Sequence, residues 1–107
     1  MKDLHLTIGH NVAGVPMHNT GDVCRACAGV LGIEAFTATQ CLGVWRGEAE
    51  ASTRIEVCAV DEAEAARIWA LLPDLAAALD QVEIMAEVAP SRVRFVSAAA
   101  SEAARTA

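Results

Sequence analysis

Long apolar runs are missing from this chain. Its most hydrophobic stretches are broken by Arg67, Asp74 and Asp80, well short of the roughly 20 uninterrupted apolar residues that a membrane-spanning helix needs. No membrane partner is expected. No basic start followed by an apolar core marks a secretory leader, so the four cysteines are expected as reduced thiols in a cytoplasmic protein of bacterial type. Basic residues are scarce, 8 Lys and Arg against 14 Asp and Glu for a net charge of −6. Such a surface repels phosphate backbones, which argues against nucleic acid as a partner. No run of carboxylates is dense enough to imitate a nucleic acid either. A phosphate-cradling glycine loop, a serine nucleophile elbow and a paired-carboxylate signature are all lacking, so no motif announces a reaction or a cofactor.

What is present is the composition of a globular protein, 54% hydrophobic and 21% charged over 107 residues, enough for one core but not two. A single domain over residues 1–97 is expected, followed by an alanine-rich tail, 98–107, that is frayed helix or disorder.

The periodicity of apolar residues switches several times along the chain. Leu4, Leu6 and Ile8 share one face of a first strand, with His5 and Thr7 on the other. The connection from Gly9 to Gly21 is longer than a strand–helix joint needs, and such loops are often functional. Val23, Ala26, Cys27, Val30 and Leu31 then recur at helical spacing, with Asn19 or Thr20 as cap and Gly32 as stop. From Phe36 the period returns to two. Phe36, Ala38, Leu42 and Val44 alternate with Thr37, Thr39, Cys41, Gly43 and Trp45, with Gln40 a polar break on the apolar side. The next strand sets Thr53, Ile55, Val57 and Ala59 against Arg54, Glu56 and Cys58. A loop of Glu48 to Ala51 would pair Val44 with Ile55 on one face, and Trp45 with Arg54 and Cys41 with Cys58 on the other. A slip of two residues would keep the faces and change the partners.

Asp61 with Glu64 reads as a capping-box-like start, and Ala65, Ile68, Trp69 and Leu72 as the buried stripe of a second helix. Pro73 either kinks that helix or begins a new turn, and Leu75, Ala76 and Leu79 resume the pattern until about Asp80. Val82, Ile84, Ala86 and Val88 alternate as a fourth strand, and Arg92 to Ser97 could add a short edge strand after the turn at Pro90-Ser91.

Right-handed crossovers and short connections turn this βαββαβ order into an antiparallel sheet, order 4-1-3-2, with two helices on one face of an α+β domain. That arrangement resembles the ferredoxin-like fold. Gly43-Val44-Trp45-Arg46-Gly47 before a turn, and Leu79-Asp80-Gln81 before the last strand, are similar to small uncharacterised bacterial proteins of that fold. These families carry no characterised motif, and the fold itself hosts many unrelated activities.

Two places in this fold could hold chemistry. The first strand ends, the hairpin turns and the fourth strand begins at one edge of the sheet, which would gather His10, Asn11, His18, Asn19, Arg46, Glu48, Glu50 and Gln81. Either His10 or His18 could act as a general base, with Glu48 or Glu50 orienting it, although polar residues also gather in loops merely because loops are solvated. The second place is the sheet face away from the helices, carrying His5, Thr7, Cys41, Trp45, Arg54, Glu56, Cys58 and Met85. A face that apolar invites a cover. A second copy of the chain is the usual one, and face-to-face pairing resembles the dimeric α+β barrels, in which two sheets enclose a pocket. His5, Thr7, Cys41, Trp45, Cys58 and Met85 would form that dimer interface, and Trp45, Arg46, Arg54 and Glu56 would meet a small molecule or another protein. The expectation is therefore a self-associating ligand-binding or protein-interaction module. The alternative is a small enzyme with His10 or His18 as base and Arg46 or Arg54 as an anion clamp.

Cys24 and Cys27 form a Cys-x-x-Cys pair, and with Cys41 and Cys58 they supply four thiols. Zinc ribbons carry two such pairs on knuckle loops, whereas this pair sits inside an amphipathic helix and the others stand singly on strands. No metal is expected. A redox pair would stand at the first helical turn with aromatic neighbours, which these lack. Cys41 and Cys58 could cross-link if oxidised, but buried, inert thiols are the simpler reading.

Overall fold

β1 (Lys2–Gly9) runs through the interior of a four-stranded antiparallel sheet, flanked by β5 (Glu48–Val60) and β6 (Met85–Pro90), with β4 (Thr37–Trp45) outside β5. The molecule is a computed structural model that describes residues 1–98. Counting only these four strands along the chain, the order β4-β5-β1-β6 reads 2-3-1-4, which keeps the neighbours of 4-1-3-2 seen from the opposite edge. The numbering gains two strands because the connection expected as a loop folds on itself: β2 (Asn11–Val12) and β3 (Val15–Pro16) pair around Ala13 and Gly14. Both turn residues hold positive φ, 49° and 79°, as a tight two-residue hairpin turn requires.

Helices α1 (Thr20–Leu31) and α2 (Glu62–Ala78) share one core with a single face of the sheet. Leu4, Leu6 and Ile8 of β1 and Ile55 and Val57 of β5 meet Val23, Cys27 and Leu31 of α1 and Ala65, Ile68, Leu72 and Leu75 of α2. Each fully buried Leu or Ile contributes about 1.5–3 kcal/mol of transfer free energy. Asn19 caps α1 with a reciprocal box, its Oδ1 accepting the Asp22 N–H at 2.8 Å and its own N–H donating to Asp22 Oδ2 at 3.0 Å. Gly32 ends the helix in the left-handed region, φ 63°.

Trp69 is not core. It is 44% exposed, because the buried stripe of α2 runs through 65, 68, 72 and 75 and leaves position 69 at its margin. There it lines a shallow groove with Leu72, Pro73, Ile84 and Ala86. The helix continues through Pro73, whose exposed ring interrupts one amide donor without ending the element.

The hairpin register also differs from expectation. The turn is Arg46-Gly47, both at positive φ (51° and 80°), and β5 begins immediately at Glu48. Trp45 therefore pairs with Glu48, Thr39 with Arg54 and Cys41 with Ser52. The slip is even-numbered, so side chains stay on their expected faces up to Val57 while every partner changes, and beyond Val57 it is Val60, not the expected Ala59, that packs against the core. Cys41 and Cys58 are thereby separated, and no cross-strand disulfide joins them.

The short edge strand expected over Arg92 to Ser97 does not form. The Ser91 N–H bonds to the Met1 carbonyl at 2.9 Å, directly after the β1–β6 pairing ends at Lys2 and Pro90. From residue 99 onward the expected tail lies outside the described residues.

Candidate functional site

Two glycines shape the open face of the sheet. Gly9, the last paired residue of β1, lies opposite Ser52, so residues 42–51 continue past the sheet as a ribbon of β4 and β5 alone. Trp45 stands at the far end of that ribbon, but its indole folds back along it. A Cβ on Gly43 would lie 2.7 Å from Trp45 Nε1 and 2.8 Å from Ser52 Oγ. Likewise a Cβ on Gly9 would lie 2.6 Å from Glu50 Oε1. Glycine in a strand interior marks a close approach, and here an indole and a carboxylate each lie over one.

The carboxylate is anchored. Glu50 Oε2 accepts the Asn11 N–H at 3.0 Å, and the Asn11 carbonyl accepts from Gln81 Nε2 at 2.9 Å. Gln81 is placed by the end of α2: its N–H donates to the Ala76 carbonyl, that of Asp80 to Ala77, with Asp80 at φ 51°. This is the hydrogen-bond pattern of a Schellman stop, with Asp where glycine is usual. Trp45, Glu50, Thr7, Gln81 and Met85, with the 80–85 segment, then enclose a groove of about 500 Å³. Among the described residues its charged lining is Glu50, Asp80 and Glu83, with no Lys, Arg or His.

The histidines lie elsewhere. His10, 3% exposed, points to the helix side of the sheet, with Nε2 2.7 Å from Thr53 Oγ1, itself 2.9 Å from Thr20 Oγ1. Its carbonyl accepts the N–H groups of Met17 and His18, which ties the small hairpin down. His18 Nε2 donates to the Leu79 carbonyl at 2.8 Å. Arg46 lies in the ribbon's turn and Glu48 directly after it. Among the described residues no hydrogen bond joins Glu48 to either histidine. Of the residues expected to converge, Asn11, Glu50 and Gln81 meet at the groove, and His18 joins them only through the Leu79 carbonyl that Gln81 also reaches at 3.3 Å.

Burial pushes the His10 pKa below its ordinary 6.5, opposed by the Glu50 charge. Protonation therefore favours the unfolded chain. Above pH 6.5 both states are neutral at this ring. As the pH falls below that value, the unfolded chain takes up a proton that the folded one refuses, and stability drops by up to about 1.4 kcal/mol per pH unit until the folded ring protonates too. Thermal melts stepped downward from neutral pH are expected to show this loss, and His10→Gln is expected to flatten it. Asp22 and Glu64 are held below their ordinary values by hydrogen bonds from the Asn19 backbone and Arg67 respectively, so their contributions disappear only at lower pH.

The remaining open-face residues form a polar surface beside the groove. Arg54 pairs with Glu56 at 3.5 Å rather than facing Trp45, and His5 Nδ1 lies 3.3 Å from Glu87 Oε1. Asp3 Oδ1 accepts the Ala59 N–H at 2.8 Å, which holds its carboxyl below the ordinary range. Burial raises the thiols of Cys58 and Cys27, the latter to about 12, so Cys27 is an inert core thiol. Thr53, which fixes His10, reads in the sequence as a core-facing strand position. The in-strand glycines 9 and 43 were the available signal for a close approach.

No family model and no curated protein matches the chain. Its fold does match solved structures. A phage SAM lyase in its apo state superposes with a TM-score of 0.70 at 20% identity, covering 82% of this chain and 78% of that one. A phage SAM lyase in complex with S-methyl-5'-thioadenosine gives 0.59 at 20% identity, over 82% and 79%. A DUF3240 family protein from Shewanella baltica gives 0.56 at 16% identity, over 91% and 97%. At such identities the likeness is one of fold. The chain is thus an α+β protein similar to small uncharacterised bacterial proteins of this architecture. Among the described residues no helix is long and apolar enough to cross a membrane.

Proposed function

We propose that this protein is a self-associating module that holds a small organic molecule in the groove between Trp45 and Glu50. The observation that carries the reading is the pairing of an indole with an anchored carboxylate over two strand glycines. A flat ring can stack on Trp45, and a positive charge is favoured by Glu50, Asp80 and Glu83, with cation–π attraction adding about 0.5–2 kcal/mol. This reverses the sign of the ligand expected from Arg54, which is taken up by Glu56. Self-association is supported by exposed apolar residues on both sides of the ribbon, with Trp45 at 38% and Met85 at 55% at the groove and Leu42 at 70% and Val44 at 62% on the face opposite it.

Likeness to a SAM lyase suggests the ligand to try first. S-adenosylmethionine combines a stackable adenine with a sulfonium cation, the two features this groove suits. A second reading, an enzyme acting on such a compound, follows from the same likeness. In that case Glu50, not His10 or His18, is the group beside the substrate, since both imidazoles hold their Nε2 in hydrogen bonds away from the groove.

Native mass spectrometry across protein concentrations and calorimetric titration with S-adenosylmethionine and with S-methyl-5'-thioadenosine test the proposal together. The expected outcome is an oligomer that binds the sulfonium compound more tightly than the neutral thioether. Glu50→Gln is expected to weaken sulfonium binding by about tenfold, 1.4 kcal/mol, for loss of a charged partner, with little effect on the thioether. A monomer that binds neither compound overturns the reading. Consumption of S-adenosylmethionine on incubation, abolished by Glu50→Gln, would select the enzyme over the module.

A further inference from the structure

A cluster of metal-binding donors lies at the other end of the open face, sharing no residue with the groove. Lys2 pairs with Val60 but Leu4 with Val57, so β5 carries one extra residue opposite Asp3. Ala59 absorbs this bulge at φ 56°. The bulge sets Cys58 across from Asp3 on the face where β1 also presents His5. One ligand atom from each of Asp3, His5 and Cys58 lies within 4.8 Å of the others. All three residues are partly exposed, so an ion can enter from solvent.

We propose that Asp3, His5 and Cys58 form a zinc-type divalent metal site. One sulfur, one nitrogen and one oxygen make the donor set of Zn(II) and its spectroscopic substitute Co(II), whereas Mg(II) and Ca(II) take oxygen alone. The supporting contacts are those that such sites use: the Ala59 N–H holds the Asp3 carboxylate at 2.8 Å, and the Glu87 carboxylate lies 3.3 Å from His5 Nδ1. Three protein ligands leave a fourth position for water. Counting thiols along the chain does not reveal this site, because it uses one cysteine and draws its other donors from a different strand.

The test is titration of the reduced, metal-free full-length protein with Co(II), followed by displacement with Zn(II). A thiolate-to-cobalt charge-transfer band is expected to saturate at one metal per chain and to vanish on addition of Zn(II). Cys58→Ser removes the band and weakens binding by at least about tenfold, and His5→Gln weakens it by a similar factor. Cys41→Ser, on the same face but outside the cluster, leaves both unchanged. Zn(II) is also expected to raise the melting temperature of the wild type more than that of His5→Gln at the same concentration, a readout that stands should Cys58→Ser fail to fold. Absence of the band in the wild type, its survival in Cys58→Ser, or its loss in Cys41→Ser overturns the assignment.

Discussion

Thr53→Val is expected to lower the free energy of unfolding by about 2 kcal/mol, a loss out of proportion to the near-equal size of the two side chains. Thr53 is fully buried and its hydroxyl joins His10 Nε2 to Thr20 Oγ1. Valine fills the space but leaves the buried imidazole nitrogen without a partner, and an unpaired buried polar group costs about 1–3 kcal/mol. The loss should be recoverable in part. In Thr53→Val with His10→Phe the orphaned nitrogen is gone, so the double variant is expected to be more stable than the sum of the two single losses predicts. Urea unfolding of the four proteins measures that coupling. A Thr53→Val loss under about 0.5 kcal/mol, the range of a neutral surface change, would show that the three side chains are not a structural pin.

Gly43→Ala is expected to dislodge Trp45. The new methyl would lie 2.7 Å from the indole nitrogen and 2.8 Å from Ser52 Oγ, and buried Ser52 cannot give way. The indole must swing off the strand, with a strain or repacking cost of about 1–3 kcal/mol. In a Trp69→Phe background, where Trp45 is the remaining tryptophan, its fluorescence is expected to shift to longer wavelength as the ring enters water, and any ligand of the groove should bind more weakly. Unchanged emission would mean that the indole does not rest on Gly43. Gly9→Ala is the milder companion, since only the end of the Glu50 side chain stands in the way.

The fold was legible because its signals are local and redundant. Alternation assigned Leu4, Leu6 and Ile8 to the core, helical spacing assigned Val23, Cys27 and Leu31, and Asn19 and Gly32 bound α1 on both sides. Faces survived even where the register was misjudged, since a strand pattern of period two is blind to an even slip. The true turn was nonetheless marked by Arg46-Gly47, whose glycine suits the positive φ that a two-residue hairpin demands. The site was harder to see. Asn11, Glu50 and Gln81 were correctly drawn to one edge by topology, but His10 follows Gly9 on an alternating strand and so points to the helices, opposite to Glu50. Helical spacing assigns Trp69 to the buried stripe, yet it lies 44% exposed, because spacing gives the stripe's centre more reliably than its width. The donors at Asp3, His5 and Cys58 meet only through a bulge, whose one trace in the sequence is the three-residue step from Val57 to Val60 on the core face.

The ribbon that carries Trp45 has a further consequence. Between residues 42 and 51 its two strands pair with each other and are tied to the rest only at the base, where the His10 N–H donates to the Ala51 carbonyl and the Asn11 N–H to Glu50, and Leu42 and Val44 lie exposed. Its amide protons should therefore exchange with solvent through local openings that leave β1 and the inner half of β5 protected, because fraying two strands exposes little buried surface. One wall of the groove thus belongs to a ribbon that opens locally, while its floor, at Thr7 and Gly9, belongs to the protected strand β1. A bound molecule that bridges them would slow exchange along the whole ribbon, so occupancy would be read as rigidity far from the ligand itself.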